Sequence, residues 1–323
     1  MANRVHVYWV IEEVEMSTIE KILWLICACA LFTWAKDAPA GPQVKMTVTL
    51  GHIYGQKPPL LGPQDLVITE HYEQLTATNL IPLRGDRAGL ELYLLVDNCS
   101  NCEPGNKFEE LRRFIGSQPS TTAIGVAYIQ DGHLVIALKP TYDRDRAVNA
   151  LSVPEGSKPS SPYGPLKELI EGFTLDGMRH AVLVVSNGID PGEADQPQDP
   201  SAEAAIGAAQ RVRVTVYAIY HPSADYETAD ASKMYSGQVQ LAHVAFESGG
   251  EAYFLGLGPL PSLAPFLADI AEHLANQYLL EFRVNPTAAA GSLQDVTVKA
   301  KGRELDLMVP SKVWVPEASP KTH

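Results

Sequence analysis

Two short polar clusters hold residue types that can do chemistry, and each follows directly on an apolar run. Asp97-Asn98-Cys99-Ser100-Asn101-Cys102 comes after residues 90–96, and Ser186-Asn187-Gly188-Ile189-Asp190 after residues 181–185. A third polar stretch, containing Ser160 and Ser161, lies between them. Carboxylate, amide and hydroxyl oxygens are the donors that hard divalent cations take, whereas a thiol is a poor partner for Mg2+. Cys99 and Cys102 form a C-x-x-C pair, with two readings. One is a thiol–disulfide exchange centre, which needs an attacking thiol of lowered pKa. The acid and proline of Cys102-Glu103-Pro104 argue against that. The other is a local disulfide, the expected state of such a pair in an exported chain. It would close too small a loop to add much stability, but it would hold the Asp97 loop in place. Zinc is not indicated: no second C-x-x-C exists, and His133 and His180 lack ligand spacing.

Other catalytic signatures are absent. The sequence has no Gly-x-Ser-x-Gly elbow, no His-Glu-x-x-His and no phosphate loop. Asp143-Arg144-Asp145-Arg146 reads as a solvated helix start and Gly256-Leu257-Gly258-Pro259 as a turn. The expectation is a binding protein, not an enzyme; the alternatives are a thiol–disulfide redox protein using Cys99 and Cys102 and a purely structural envelope protein.

The elements that must position the polar clusters follow from periodicity. Residues 90–96, 122–129, 179–186 and 212–220 are largely apolar, as strands covered on both faces are. Helical spacing appears at 107–115, 143–151, 166–173, 201–210, 238–248 and 263–277, with Ser201 as a plausible cap and Gly249-Gly250 as a stop. Asp131-Gly132 predicts a hairpin turn, and residues 221–237 read as loop. Alternating strands and helices predict an α/β fold: a doubly wound, mainly parallel sheet with helices on both faces. Residues 44–50, 65–70 and 73–83 near the start, and 278–284, 294–300 and 303–309 near the end, alternate like antiparallel strands. The expected division is a targeting segment at 1–40, a β segment at 41–86, the α/β domain at 87–277, β strands at 278–315 that pack with the first β segment, and a disordered tail at 316–323.

The chain has 323 residues, 46% hydrophobic and 20% charged, with a formal net charge of -13. So acidic a surface disfavours nucleic acid and anionic lipid as partners. Residues 22–34 are nearly all apolar, preceded by Lys21 and followed by Ala38-Pro39-Ala40. That layout predicts a signal peptide with no membrane span in the mature chain, and hence a secreted or periplasmic protein. Glu12, Glu13 and Glu15 fit this poorly, and a start at Met16 would remove them. Ile26-Cys27-Ala28-Cys29 faintly resembles a lipoprotein cleavage site, although Cys27 is unusual at that position.

The two clusters and the loop between them resemble the von Willebrand factor A (vWA) domain. In that family an apolar strand ends in Asp-x-Ser-x-Ser, a middle loop supplies Thr or Ser, and a later strand ends in Thr-Asp-Gly. Asp97 to Asn101, Ser160 or Ser161, and Asn187 occupy those places. The chain also resembles an exported subgroup common in acidobacteria, through Asp65-Leu-Val-Ile-Thr-Glu70, Ser248-Gly-Gly-Glu-Ala-Tyr-Phe254 and Gln277-Tyr-Leu-Leu-Glu-Phe282. The resemblance implies a protein partner bound by the top loops, and Mg2+ or another divalent cation held by Asp97, Asn101, Ser160, Ser161 and Asn187. The departures matter: Cys99 and Asn101 replace serines and Asn187 replaces an aspartate. Of the family's acidic ligands only Asp97 remains, so a degenerate ion site is expected.

Overall fold

In a computed structural model, the chain is described over residues 41–51, 59–97, 106–152, 160–174, 177–192, 199–222, 230–285, 287–302 and 305–317. The expected signal peptide, the 318–323 tail, and Cys99, Asn101 and Cys102 lie outside the described residues. The first strands are β1 (Gln43–Leu50), β2 (Leu66–Glu70), β3 (Glu73–Leu75) and β4 (Ala77–Pro82). The α/β part then runs β5 (Leu90–Asp97), α1 (Asn106–Ser117), β6 (Thr122–Gln130), β7 (His133–Thr141), α2 (Arg144–Ala150), α3 (Tyr163–Glu171), β8 (Arg179–Ser186) and α4 (Pro200–Val212). It continues with β9 (Val214–Tyr220), α5 (Ala231–Glu247), β10 (Ala252–Tyr253) and α6 (Ala264–Ala275). The last strands are β11 (Gln277–Arg283), β12 (Ser292–Asp295), β13 (Thr297–Ala300), β14 (Leu307–Met308) and β15 (Lys312–Val315).

The apolar runs form the middle of a six-stranded sheet of order β10-β9-β8-β5-β6-β7. β5 pairs in parallel with β6 on one side and with β8 on the other. The sheet therefore grows outward from β5 in both directions, and the gap between the ends of β5 and β8 is its switch point. β7 is the antiparallel edge. Its turn places Asp131 (φ 49) and Gly132 (φ 86) in the left-handed region, as a two-residue hairpin turn needs. This is the doubly wound, mainly parallel sheet that the apolar runs predict. One face is covered by α1, α2 and α6 through residues such as Phe108, Leu111, Leu267 and Ile270. The other is covered by α3, α4 and α5 through Leu166, Ala205, Leu241 and Val244. Among the described residues no helix is long and apolar enough to cross a membrane.

The flanking strands share a third core of Val44, Met46, Ile68, Leu280, Phe282 and Val313. β1 pairs along its length with β11, and β4 lies on the other side of β11, both antiparallel. The chain leaves this sheet at Pro82 and returns opposite it at Tyr278. Arg179 ties the crossing together. Its Nη1 donates to Leu274 O (2.6 Å) and Gln277 Oε1 (2.9 Å), its Nη2 to Ala88 O (2.6 Å), and its Nε to Gly89 O (3.4 Å). Burial pushes this guanidinium down to about 10.

Several elements differ from expectation: residues 73–83 and 294–300, each read as one strand, split into β3 and β4 and into β12 and β13. α4 is capped by Asp199, which accepts from Ser201 N (2.7 Å) and Ala202 N (3.2 Å), so Ser201 lies inside the helix. α5 starts at Ala231, capped by Asp230, within a stretch that reads as loop. Its first turns expose Tyr235 and Val239, which breaks the one-sided pattern that marks a surface helix. β15, only four residues long, is invisible to periodicity and pairs with β12.

Candidate functional site

Asp97 ends β5 and Ser186 ends β8, so the two meet across the switch point. The Ser186 hydroxyl donates to Asp97 Oδ2 (2.5 Å), and its oxygen accepts from Gly188 N (3.1 Å). Asp97 is 8% exposed, and a hydroxyl given to a buried carboxylate is a strong, charge-assisted bond. Beyond Ser186 the chain presses against α5. A Cβ on Gly188 would stand 2.3 Å from Gly237 O, and one on Gly237 2.3 Å from Asn187 O. Tyr163, buried at the start of α3, donates its hydroxyl to Gly188 O (2.7 Å). Burial holds that phenol well above its ordinary pKa, and the carboxylates of Asp199, Asp190 and Asp97 push the same way.

A basic pair approaches from the neighbouring strand end. His221 N donates to Ser186 O (2.8 Å). The ring Nδ1 faces Pro222 O (3.0 Å), and Nε2 lies 3.5 Å from Lys107 Nζ in the first turn of α1. An imidazole that gives its proton to the carbonyl leaves Nε2 to accept from the ammonium. Burial pushes the pKa of both groups down; Glu110 opposes this at Lys107, and the lysine charge adds to it at His221. Nothing in the sequence flagged this pair, because Lys107 and His221 meet only through strand order.

The other candidates fall as follows. Asn187 Oδ1 accepts from Ile189 N (2.9 Å), forming a local turn. The oxygen of Ser161 accepts from Tyr163 N (3.4 Å) at the start of α3. The Ser160 hydroxyl is buried without a hydrogen-bond partner among the described residues, beside the β6–β7 turn at Gly132. Asp190 accepts from Gly192 N (2.9 Å) and lines a cavity of about 10 Å3 with Asp199, Lys233 and Gln240. His180 is a core histidine, its ring 4.6 Å from that of Phe173. Asp143 accepts from Arg146 N (3.0 Å) as the cap of α2.

The described donors alone do not make up a site for a hard divalent ion. Such ions want several oxygens, preferably charged. Among the described candidate ligands Asp97 is the one carboxylate, and one of its oxygens is held by Ser186. The Asn187 oxygen is committed to Ile189, and the Lys107 ammonium stands three contacts away from Asp97, through His221 and Ser186.

No protein-family model matches the sequence, and no curated protein matches it. Several solved structures are similar to parts of the chain. Proximal thread matrix protein 1 of the mussel byssus is 13% identical over 59% of this chain and 46% of its own, with a TM-score of 0.40. The chain thus spans about half the length of that protein. The vWF domain of the type V pili tip protein Mfa5 from Porphyromonas gingivalis is 11% identical over 57% of this chain and 94% of its own, with a TM-score of 0.40. The ArnB paralog VWA2 from Sulfolobus acidocaldarius is 9% identical over 84% and 76%, with a TM-score of 0.38.

Proposed function

We propose that the chain is an exported vWA-type protein-interaction module that binds a protein partner through the loops at the carboxyl ends of β5 and β8, without a metal ion. The observation that carries this reading is the Asp97–Ser186 hydrogen bond across the switch point, where open α/β sheets bind their ligands. The carboxylate that the vWA family uses as an ion ligand here takes up a hydroxyl from the neighbouring strand. The site becomes a braced pair of strand ends, and we take Cys99 and Cys102, outside the described residues, as a disulfide. Such a platform supports binding by shape and hydrogen bonding, and no catalytic role is assigned to it.

Two measurements test this. A photo-crosslinker at Asn187 should yield adducts in envelope extract of the source cells, and one at the exposed Ser120, at the far end of the sheet, should not. Equal adducts from both positions would remove the top loops as the interface. Calorimetric titration of the full chain with Mg2+ should give no heat. Heat that disappears in Asp97→Ala would restore the ion site and overturn the metal-free reading.

A further inference from the structure

A second cluster lies away from these loops, at the edge of the sheet. Asp269 and His273 stand one turn apart on α6, and Glu251 immediately precedes β10. One ligand atom from each lies within 4.8 Å of those of the other two. The His273 ring sits between the carboxylates, with Nδ1 3.7 Å from Glu251 Oε2 and Nε2 3.8 Å from Asp269 Oδ1. At the centre, the hydroxyl of Tyr253 donates to Asp269 Oδ2 (2.8 Å) and lies 3.3 Å from His273 Nδ1.

The geometry points to a divalent transition-metal ion, of the Zn2+ or Mn2+ type, bound by Glu251, Asp269 and His273 with the Tyr253 hydroxyl beside it. Metal–oxygen and metal–nitrogen bonds of about 2.0–2.2 Å put ligands of one ion no more than about 4.5 Å apart. The cluster is already within a few tenths of that spacing. Two hard carboxylates and one borderline imidazole make a mixed oxygen–nitrogen set, suited to Zn2+, Mn2+ or Co2+ rather than to Ca2+, which prefers oxygen alone. The ligands are also anchored. Glu251 O accepts from Ala218 N (2.9 Å), which fixes the carboxylate's backbone to β9. His273 is 2% exposed and stacks on Tyr217, with centroids 6.1 Å apart. The start of α6 is held by Glu110, which accepts from Leu263 N (2.6 Å) and from the Ser262 hydroxyl (2.8 Å). Within the cluster His273 is the one group able to carry positive charge. An ion would neutralise the carboxylates and brace α6 against the sheet edge.

The test uses the full chain, stripped with chelator and then titrated with Zn2+, Mn2+ and Co2+ by calorimetry and, for Co2+, visible absorption. One equivalent of Co2+ should bind with ligand-field bands, and the unfolding midpoint should rise with ion concentration. Glu251→Gln, at a half-exposed position, should weaken binding at least tenfold without shifting the metal-free midpoint. His273→Asn should abolish the bands, and Asp97→Ala should bind like the unaltered chain, which separates this site from the loop platform. No bound ion in the unaltered chain, or undiminished binding in Glu251→Gln and His273→Asn, would overturn the proposal and leave a hydrogen-bonded knot.

Discussion

Asp97 and Ser186 hold one another at the ends of two neighbouring buried strands, a carboxylate accepting from a hydroxyl. The vWA resemblance drew attention to Asn187, one position later, yet strand pairing sets the ends of β5 and β8 side by side and turns the Ser186 hydroxyl onto Asp97. Replacing Asp97 by Ala leaves that hydroxyl without its charged acceptor and should cost about 1–3 kcal/mol by urea unfolding. Asp97→Asn keeps an acceptor oxygen and should cost less; equal losses would deny the bond its role. Buried phenols give a second test. Burial pushes Tyr93 up to about 12, with Glu91 adding to it, and burial alone does the same to Tyr220. A pKa raised in the folded state contributes stability that is complete below the ordinary value of 10 and is lost as pH rises towards 12. Phenolate absorbance should therefore appear late, together with loss of near-ultraviolet dichroism. Smooth titration near pH 10 with the fold intact would contradict it.

Helices and strands with long apolar runs were legible because each is buried by its own pattern, whereas starts and contacts set by neighbours were not. The start of α5 is an example: Gly237 reads as a helix breaker, yet it is there so that the Asn187–Gly188 backbone can pass. Gly to Ala inside an exposed helix usually gains about 1 kcal/mol. Gly237→Ala should instead lose about 1–3 kcal/mol, because the added methyl meets Asn187 O. A stabilised variant would show that the loop moves aside freely. At the start of α4, Asp199 Oδ1 caps the helix while Oδ2 is buried without a hydrogen-bond partner among the described residues. Asp199→Ala should cost about 1–2 kcal/mol, and Asp199→Ser, which keeps a capping oxygen and removes the buried charge, should cost less. Thermal midpoints that rank Ser below Ala would refute this account.

The apolar runs named the layers of the molecule, but the joining of its two ends could not be read from either end alone. β1 and β11 are separated by the whole α/β domain and still pair over seven positions from Gln43 to Thr49. Arg179 then bonds to both crossing segments. The two parts should therefore unfold together. Of the four tryptophans, Trp314 alone lies beyond residue 40, on β15 beneath the Arg211 guanidinium (5.4 Å). In a chain lacking residues 1–40, its fluorescence and the helical dichroism should change at one denaturant midpoint. Separate midpoints would show two independent parts.

The crossing at Pro82 and Tyr278 also has a mechanical consequence. The α/β domain enters and leaves the flanking sheet at adjacent points, with Leu83 N bonded to Gln277 O (3.0 Å). Tension applied between Gly41 and Glu317 would thus run through the flanking strands and bypass the domain that displays the loops. Under load the binding face would keep its shape until β4 peels from β11. A force–extension trace should show the long release of the α/β domain only after that first rupture; a release that came first would disprove this load path.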